Sequence, residues 1–263
     1  MRKFYYLVKY YLRKDKKDSI FFYTFHKCAS TLFASYVLKN VDGLDNIDYA
    51  RYLWNKPNSF KRRPFYFKSK GYIYGPIRLS GRNKLMYNLL VIPTSNLDFV
   101  KNKTAMFFIR DPRDILVSSY YSFGYTHALN SNKERRSEQL KKRKLIQSLT
   151  VDEYVIRNAE RQIENFNALK TIADNCKNKV ILKYEDMIEN FDLFSKNLKT
   201  IVSISDDVVQ NIYERSRPKK SIDNQSHRRS GALKRYTKDL KPETITILNK
   251  KLKGILDEFK YSE

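Results

Sequence analysis

The sequence predicts one α/β domain whose central, mainly parallel β-sheet is flanked by helices. Two stretches carry this prediction, because each reads as a short apolar strand, a tight polar turn and then a helix; their strands are Ile20–Phe25 and Ala105–Ile109. Continuous apolar runs of this length are typical of central parallel strands, which are covered on both faces. The length of 263 residues and the hydrophobic fraction of 41% suit one large domain.

The remaining elements follow from the same patterns. A third buried strand is predicted at Val180–Lys183. The stretch 45–90 reads as irregular because glycines and prolines punctuate it, with short strands only around 65–67 and 89–92. Apolar residues three and four apart predict helices at 151–175, 192–204 and 205–216, and a last helix that begins at Pro242.

These elements predict three segments. We expect a basic N-terminal extension at 1–18, the folded domain at 19–263, and, within that domain, a basic surface insertion or lid at 125–150. No internal repeat or low-complexity linker divides the chain, which favours a single domain.

Basic residues dominate the charge of the chain. Lys and Arg number 52 against 28 Asp and Glu, which gives a formal net charge of +24. A field of this sign attracts anions, and composition alone leaves nucleic acid, anionic lipid, a polyanionic glycan and a nucleotide cosubstrate all open. A lysine-rich composition without any binding role is the other explanation.

Cysteine usage and hydropathy predict where the protein resides. Cys28 and Cys176 form neither a disulfide framework nor a zinc motif, which indicates a reducing compartment. Residues 1–17 alternate aromatic and basic side chains and lack the apolar core of a signal peptide, and no run approaches 18 apolar residues. We therefore expect a cytoplasmic protein without a transmembrane segment. Its N-terminal segment either packs on the domain or lies on a membrane surface as a peripheral contact.

The first predicted strand ends in a turn suited to an anion. Residues 26–31 read His-Lys-Cys-Ala-Ser-Thr, so the backbone N–H groups of a helix N-terminus lie beside Lys27 and the hydroxyls of Ser30 and Thr31. This is not a Walker A loop, because its glycines and its Gly-Lys-Ser/Thr ending are absent, and that disfavours a P-loop kinase. The alternative is an ordinary strand-to-helix turn with a solvated lysine.

The second turn presents Arg110 at the carboxyl edge of the sheet, where ligands bind in open α/β folds. Asp111 is predicted to cap the next helix, and Pro112 suits its first position. Ser118 lies two helical turns further on, so a guanidinium and a hydroxyl could meet a phosphate monoester there. The alternative is that Arg110 and Asp111 form a capping ion pair while Ser118 lies on the helix surface.

Together the two turns resemble the sulfotransferases that use 3′-phosphoadenosine-5′-phosphosulfate (PAPS). That family's 5′-phosphosulfate loop typically reads Pro-Lys-Ser/Ala-Gly-Thr-Thr, close to residues 26–31. Its 3′-phosphate motif, Arg-(Asn/Asp)-Pro-(Lys/Arg)-Asp-x-x-x-Ser, matches 110–118 throughout. The Lys-Tyr-Glu-Asp sequence at 183–186 and the Arg-Arg-Ser-Gly sequence at 228–231 also resemble family motifs. The resemblance covers about residues 19 to 261, in the family's order.

The resemblance implies the P-loop-NTPase-like sulfotransferase fold, with PAPS as cosubstrate and without a metal ion. Lys27 would support the leaving group. At the position of Ala29 the family typically has glycine. Alanine costs nothing there if the turn needs no positive φ, although its Cβ narrows how closely the backbone approaches an anion. By this resemblance the 5′ end would be bound by Lys27, Cys28, Ala29, Ser30 and Thr31. The 3′-phosphate would be bound by Arg110, Ser118, Arg228, Arg229 and Gly231.

The sequence identifies the catalytic base and the acceptor less closely than it identifies the residues for the nucleotide. Residues 28–109 contain neither His nor Glu, so the candidates for the base are His127, which we favour, and His26. His127 is alternatively a helix-end or surface residue, and Arg78 is either a further ligand at a strand end or a solvated side chain. The acceptor would supply a hydroxyl or an amine from a glycan, a lipid or a small metabolite. The basic stretch Lys133–Lys144 would suit an anionic acceptor, or else it is a solvated face.

A basic protein that binds nucleotides or nucleic acid without transferring a group is the alternative function. It would explain the charge, but it would leave the two anion-binding turns without a role. For that reason we do not expect nucleic acid as a partner. A member of the family that binds the nucleotide but has lost catalysis also stays open.

Overall fold

The computed structural model describes residues 17–48, 51, 67–79, 101–217 and 231–261. Within this part of the chain five strands form one sheet in the order β2-β3-β1-β4-β5, and every adjacent pair is parallel. The strands are β1 Ile20–Thr24, β2 Asp45–Ile47, β3 Tyr72–Arg78, β4 Thr104–Ile109 and β5 Asn178–Lys183.

Helices connect and cover these strands. Two of the helices, Ser30–Leu32 and Pro112–Tyr121, each continue into a π-helical turn, at Phe33–Val37 and Ser122–Thr126 respectively. The helices of the described ranges are α1 Ser30–Leu32, α2 Pro112–Tyr121, α3 Lys133–Gln147, α4 Val151–Asn175, α5 Tyr184–Glu189, α6 Phe191–Lys199, α7 Asp206–Ser216, α8 Tyr236–Asp239 and α9 Pro242–Glu258. None of them is long and apolar enough to cross a membrane.

Aromatic side chains of the two central strands form the core. Phe33 of the first π-helical turn stacks on Phe22 of β1 at 4.8 Å and packs on Phe108 of β4 at 4.2 Å between ring centroids. On another side Phe25, directly after β1, packs on Phe166 of α4 at 4.7 Å. Because β1 and β4 are neighbours and run parallel, the turns that follow them lie side by side at one edge of the sheet.

The predicted α/β architecture is confirmed, and the strands Ile20–Thr24 and Thr104–Ile109 lie where the apolar runs placed them. The prediction for 45–90 was wrong in part, because β2 and β3 form there and Phe67 lies outside any strand. The rest of the two short strands expected at 65–67 and 89–92 falls outside the described residues, as does nearly all of the extension at 1–18. Helix α3 occupies much of 125–150, and its role as an insertion or lid stays a prediction.

Candidate active site

The turn after β1 is built from left-handed backbone conformations. Lys27 has φ 69° and Ala29, the residue before α1, has φ 48°. Non-glycine residues avoid this region because Cβ crowds the carbonyl oxygen, at a cost of about 1–2 kcal/mol each. This turn therefore uses a positive φ at Ala29, where the family has glycine. Alanine at this position costs conformational free energy that glycine would not.

The other side chains of this turn differ in exposure. Ser30 is buried and Thr31 is exposed. Cys28 is completely buried, and burial, as the largest cause, raises the pKa of its thiol to about 12. A thiol that stays protonated is a poor nucleophile, so Cys28 contributes its backbone and its packing to the turn and not covalent chemistry.

Arg78 enters this site from the neighbouring strand. It is the last residue of β3 and pairs with Thr24 of β1. Its Nε and Nη2 atoms donate to the Ser30 hydroxyl oxygen at 3.3 and 3.1 Å. The Ser30 hydroxyl hydrogen stays available to an anion, because Ser30 acts as the acceptor in both bonds. Arg78 is thus a site residue that the sequence left undecided.

Arg110 is held in a buried cage directly after β4. Its Nη2 donates to Asp114 Oδ2 at 2.9 Å and to the Ala232 carbonyl at 3.1 Å, and its guanidinium lies 4.5 Å from the centroid of the Tyr184 ring. Arg110 Nη1 lies 3.5 Å from the carbonyl oxygen of Lys27. Its Nε is buried and, among the described residues, has no hydrogen-bond partner, which makes it a donor suited to an anion.

The ion pairs of this turn differ from the Arg110–Asp111 pair that the sequence offered as an alternative. Arg110 pairs with Asp114, whereas Asp111 caps α2 and pairs with Arg113 at 2.7 Å. The predicted cap by Asp111 is confirmed by its hydrogen bond from Arg113 N at 2.8 Å. Ser118 is half-buried in α2, and within the described ranges no hydrogen bond joins it to Arg110.

The segment that begins at Gly231 reaches the same site. Gly231 has φ 74°, and its carbonyl accepts a hydrogen bond from the Tyr184 hydroxyl at 2.6 Å. Tyr184 also supports Arg110, so one side chain connects the end of β5, the turn after β4 and Gly231. Arg228 and Arg229 lie outside the described residues, so their predicted contacts stay predictions.

Glu185 brings a carboxyl group with a buried Oε2 atom to the turn after β4. Its Oε1 accepts a hydrogen bond from Asp111 N at 2.9 Å. Burial raises its pKa to about 7, against the lowering effect of the Asp111 N–H group and of Arg110. The sequence identified Glu185 only as part of a motif. Its burial and its hydrogen bond could not be predicted, because they depend on separate chain segments.

Lys27 and His26 share a strongly cationic environment. Burial first, and then the positive charge of Arg110, lower the pKa of Lys27 to about 8. His26 is exposed at the surface, but the protein packed around it and then Arg78 lower its pKa to about 3. An exposed imidazole with an ordinary pKa and an imidazole with a lowered pKa are both mainly neutral at pH 7. His26 is therefore mainly neutral at pH 7.

An aromatic ring connects the two histidines. Phe123 lies edge-on between them, with ring centroids 5.7 Å from His26 and 5.3 Å from His127. His26 is adjacent to Lys27 in the chain, whereas His127 lies on the far side of the Phe123 ring. The structure therefore brings both candidate bases into one cluster and leaves His26 nearer to the anion-binding turn.

The searched part of the chain contains no group of three or more His, Cys, Asp or Glu residues arranged to hold a metal ion. The cations at the sheet edge, Lys27, Arg78 and Arg110, instead provide positive charge from side chains. Together with the N-terminus of α1, they form a site for an anion with charge at both ends.

Comparisons with known proteins identify the fold. No protein-family model and no curated protein matches the chain. Among solved structures, a mouse sulfotransferase complexed with PAP is 15% identical, covers 94% of this chain and 89% of its own, and has a TM-score of 0.54. Retinol dehydratase in a complex with retinol and PAP is 15% identical over 90% of this chain and 81% of its own, with a TM-score of 0.47. The chain thus has the sulfotransferase fold that its motifs suggested.

Proposed function

We propose that the chain transfers a sulfuryl group from PAPS to a hydroxyl or an amine of an acceptor. One observation carries the proposal: within a sulfotransferase fold, the turn after β1 and the turn after β4 bring Lys27 and Arg110 to the same sheet edge, where Arg110 Nη1 lies 3.5 Å from the Lys27 carbonyl. A nucleotide with phosphate groups at both its 3′ and its 5′ positions matches this two-ended arrangement of cations.

The residues present fit such a ligand. The buried Arg110 Nε is a donor that no described residue satisfies, and a phosphate oxygen would satisfy it. The 5′ end fits the turn at 26–31, where the amides before α1 and the Ser30 hydroxyl are available. Ser118 would complete the 3′ end if the ligand draws its hydroxyl toward Arg110.

The chemistry requires alignment and charge compensation more than a covalent protein intermediate. PAPS supplies an activated sulfuryl group whose departure leaves negative charge on a phosphate. Lys27 and the Arg78 bonded to Ser30 would compensate charge that develops at the 5′ end, as preorganised cations do in other transfer reactions. The site would also have to hold acceptor and donor in line, and such alignment supplies a large part of the rate in transfer reactions.

A histidine of the Phe123 cluster would take the proton of the acceptor. His127 is our prediction from the sequence, and the geometry adds weight to His26, which is adjacent to Lys27 and packs against the Phe123 ring. A neutral imidazole has a free lone pair that can accept the proton of an attacking hydroxyl. Separate His26→Ala and His127→Ala variants assign this role.

Thermal stabilisation by 3′-phosphoadenosine-5′-phosphate (PAP) tests donor binding. A ligand at about one hundred times its Kd stabilises the folded state by about 2.7 kcal/mol, which for a chain of this size corresponds to roughly 5–10 °C in Tm. We expect this shift in the wild type and its loss in Arg110→Ala. Arg157→Ala, on the exposed surface of α4, is the control. Absence of any shift in the wild type at millimolar PAP refutes the proposal.

Transfer of labelled sulfate then separates an active enzyme from a protein that only binds the nucleotide. We expect Lys27→Ala to reduce the transfer rate by at least about a hundredfold, as loss of a single group that stabilises charge does elsewhere. A wild type that binds PAP but transfers no label to a broad panel of hydroxyl and amine acceptors supports the alternative of a nucleotide-binding protein without catalysis.

A further inference from the structure

One arginine of helix α4 lies near the site without a bonded partner. Arg161 is exposed, and it has no hydrogen bond and no ion pair to any residue that the structure describes. Exposed arginines are commonly solvated, so this observation gains meaning only from where the side chain lies. The packing of α4 gives that position.

Helix α4 passes the end of β1 close to Arg161. Phe166 packs on Phe25 at 4.7 Å between ring centroids, and His26 is the next residue of the chain. Because α4 runs toward the start of β5, the residues before Phe166 lie toward the carboxyl edge of the sheet. Arg161 precedes Phe166 by five residues, which is about 7.5 Å along a helix axis. The helix therefore brings Arg161 to the edge where the turn at 26–31 lies.

Arg161 projects from the face of α4 that is turned toward α2. Tyr154 lies seven residues earlier, which is about two helical turns, so the two side chains share this face. The Tyr154 ring packs on Tyr120 of α2 at 5.5 Å. Helix α2 continues into the π-helical turn that carries Phe123, whose ring lies 5.7 Å from His26. Arg161 is therefore on the side of α4 that faces the Phe123 cluster.

Electrostatic effects agree with this position. Burial raises the pKa of Tyr154 to about 12, and the charge of Arg161 acts in the opposite direction. The pKa of His26 is lowered by burial first and then by Arg78, and Arg161 also contributes. A charge acts on two residues in this way only if it lies near both of them. Within the described residues, no carboxylate opposes these cations at His26.

Arg161 reaches the site from a different side than the groups assigned to the donor. Phe22 of β1 contacts the π-helical turn that continues α1, whereas Phe25 contacts α4. The amides before α1, together with Ser30 and Arg78, form the end proposed for the 5′-phosphosulfate. Because Arg161 comes from α4, it is available for the second substrate.

We propose that Arg161 binds an anionic group of the acceptor, a carboxylate or a sulfate ester, while the hydroxyl or amine of the same molecule meets the Phe123 cluster. This inference rests on the proposed function, because it concerns the acceptor of that reaction. A guanidinium presents two parallel N–H donors, which match the paired oxygens of either anion. A neutral acceptor of the same shape would cover Arg161 without pairing it, so the site should discriminate against such a molecule.

The test compares variants of the full chain with matched probes. Arg161→Gln removes the charge, and Arg161→Lys keeps the charge without the planar fork. The control is Arg136→Gln, since Arg136 of α3 is also exposed and forms no ion pair with any described residue. The probes are methyl glucuronide, which has a carboxylate, methyl glucoside 6-sulfate, and the neutral methyl glucoside.

Binding of each probe is measured by ligand-observed NMR at about 0.15 M salt with PAP at saturation, and the PAP shift in Tm is recorded for every protein. We expect the wild type and the control to bind a charged probe at least about fivefold more tightly than the neutral one. Arg161→Gln should reduce this ratio to below about twofold, and Arg161→Lys should give an intermediate ratio, because one charged donor group remains. All of these proteins should keep the PAP shift. The charged probe that binds more tightly identifies the anion.

A wild type without this preference overturns the proposal, whether it binds all the probes equally or none of them. An equal loss of preference in Arg136→Gln also overturns it, because net charge alone would then explain the binding. Loss of the PAP shift in Arg161→Gln would overturn it as well and would assign Arg161 to the donor. Failure of the proposed function has a different signature, since the PAP shift is then absent from the wild type before any probe is added.

Discussion

The affinity for PAP should fall as the pH rises above the pKa of Lys27, which lies at about 8 in the free protein. The charged ammonium is the form that attracts the 5′-phosphate, so binding is strongest below pH 8 and weakens above it. At pH 9 about one Lys27 in eleven is still charged, which predicts a roughly tenfold weaker Kd, or about 1.4 kcal/mol, if the bound state keeps the lysine charged. Titration calorimetry between pH 7 and 9.5 measures this directly.

Lys27→Arg is the matched control for that titration, because a guanidinium stays charged throughout the range. Phosphate groups complete their second ionisation near pH 6, and His26 is neutral above its pKa of about 3, so neither contributes over this interval. We expect the variant to change only near pH 7, where Glu185 with its pKa of about 7 finishes ionising, and to show no decline above pH 8, even if its affinity at pH 7 is lower. A decline above pH 8 of equal slope in both proteins would refute the assignment to Lys27 and would point to another titrating group.

Three further changes test the structure independently of function. Ala29→Gly relieves the left-handed alanine and should raise Tm by about 1–3 °C in calorimetry, net of the flexibility of glycine; a lower Tm contradicts the turn geometry. Because burial raises the pKa of Glu185 to about 7, wild-type stability falls from about pH 4.5 to 7, and Glu185→Gln should remove that component in urea unfolding. Gly254→Ala has open space and should stabilise α9 by about 0.5–1 kcal/mol, whereas Gly124→Ala meets Ile146 and should not; equal effects would refute the close approach.

Local sequence patterns predicted the strands that are apolar throughout, but not the strand that contains an irregularity. Gly75 and Pro76 make 45–90 look like a loop, yet they lie within β3. The β1–β3 register shifts between Phe21 and Tyr23, so β3 contains the extra residue of a bulge at this point, where proline is tolerated. A Cβ at Gly75 would lie 2.7 Å from the Phe22 carbonyl oxygen, which is a constraint no single-segment pattern reveals.

Site residues that follow from a local sequence pattern could be predicted, whereas those that depend on contacts between distant segments could not. Lys27 and Arg110 follow continuous apolar strands, so their positions at the sheet edge follow from the order of elements alone. Arg78 is the last residue of the bulged strand, and its contact with Ser30 depends on pairing between segments 48 residues apart. The support of Arg110 by Tyr184 likewise requires the neighbouring strand β5 to end at the same edge.

The two ends of the site differ in how much of their geometry is fixed before a ligand binds. Arg110 is held by Asp114, by a backbone carbonyl and by the Tyr184 ring, and Asp114 is held in turn by the backbone N–H of Tyr236 at 3.1 Å. The ammonium group of Lys27 has no hydrogen bond to any described residue, and its lowered pKa reflects burial beside Arg110.

A preorganised donor contributes to affinity without an ordering cost, whereas a lysine that gains its partner only as negative charge develops contributes to rate. If the proposed function holds, changes at Arg110 should therefore appear mainly in Kd for the nucleotide. Changes at Lys27 should appear in the rate of transfer and in the Kd for the product PAP, and not mainly in the Kd for PAPS, because that end of the site completes its interactions only when the 5′-phosphate becomes fully charged.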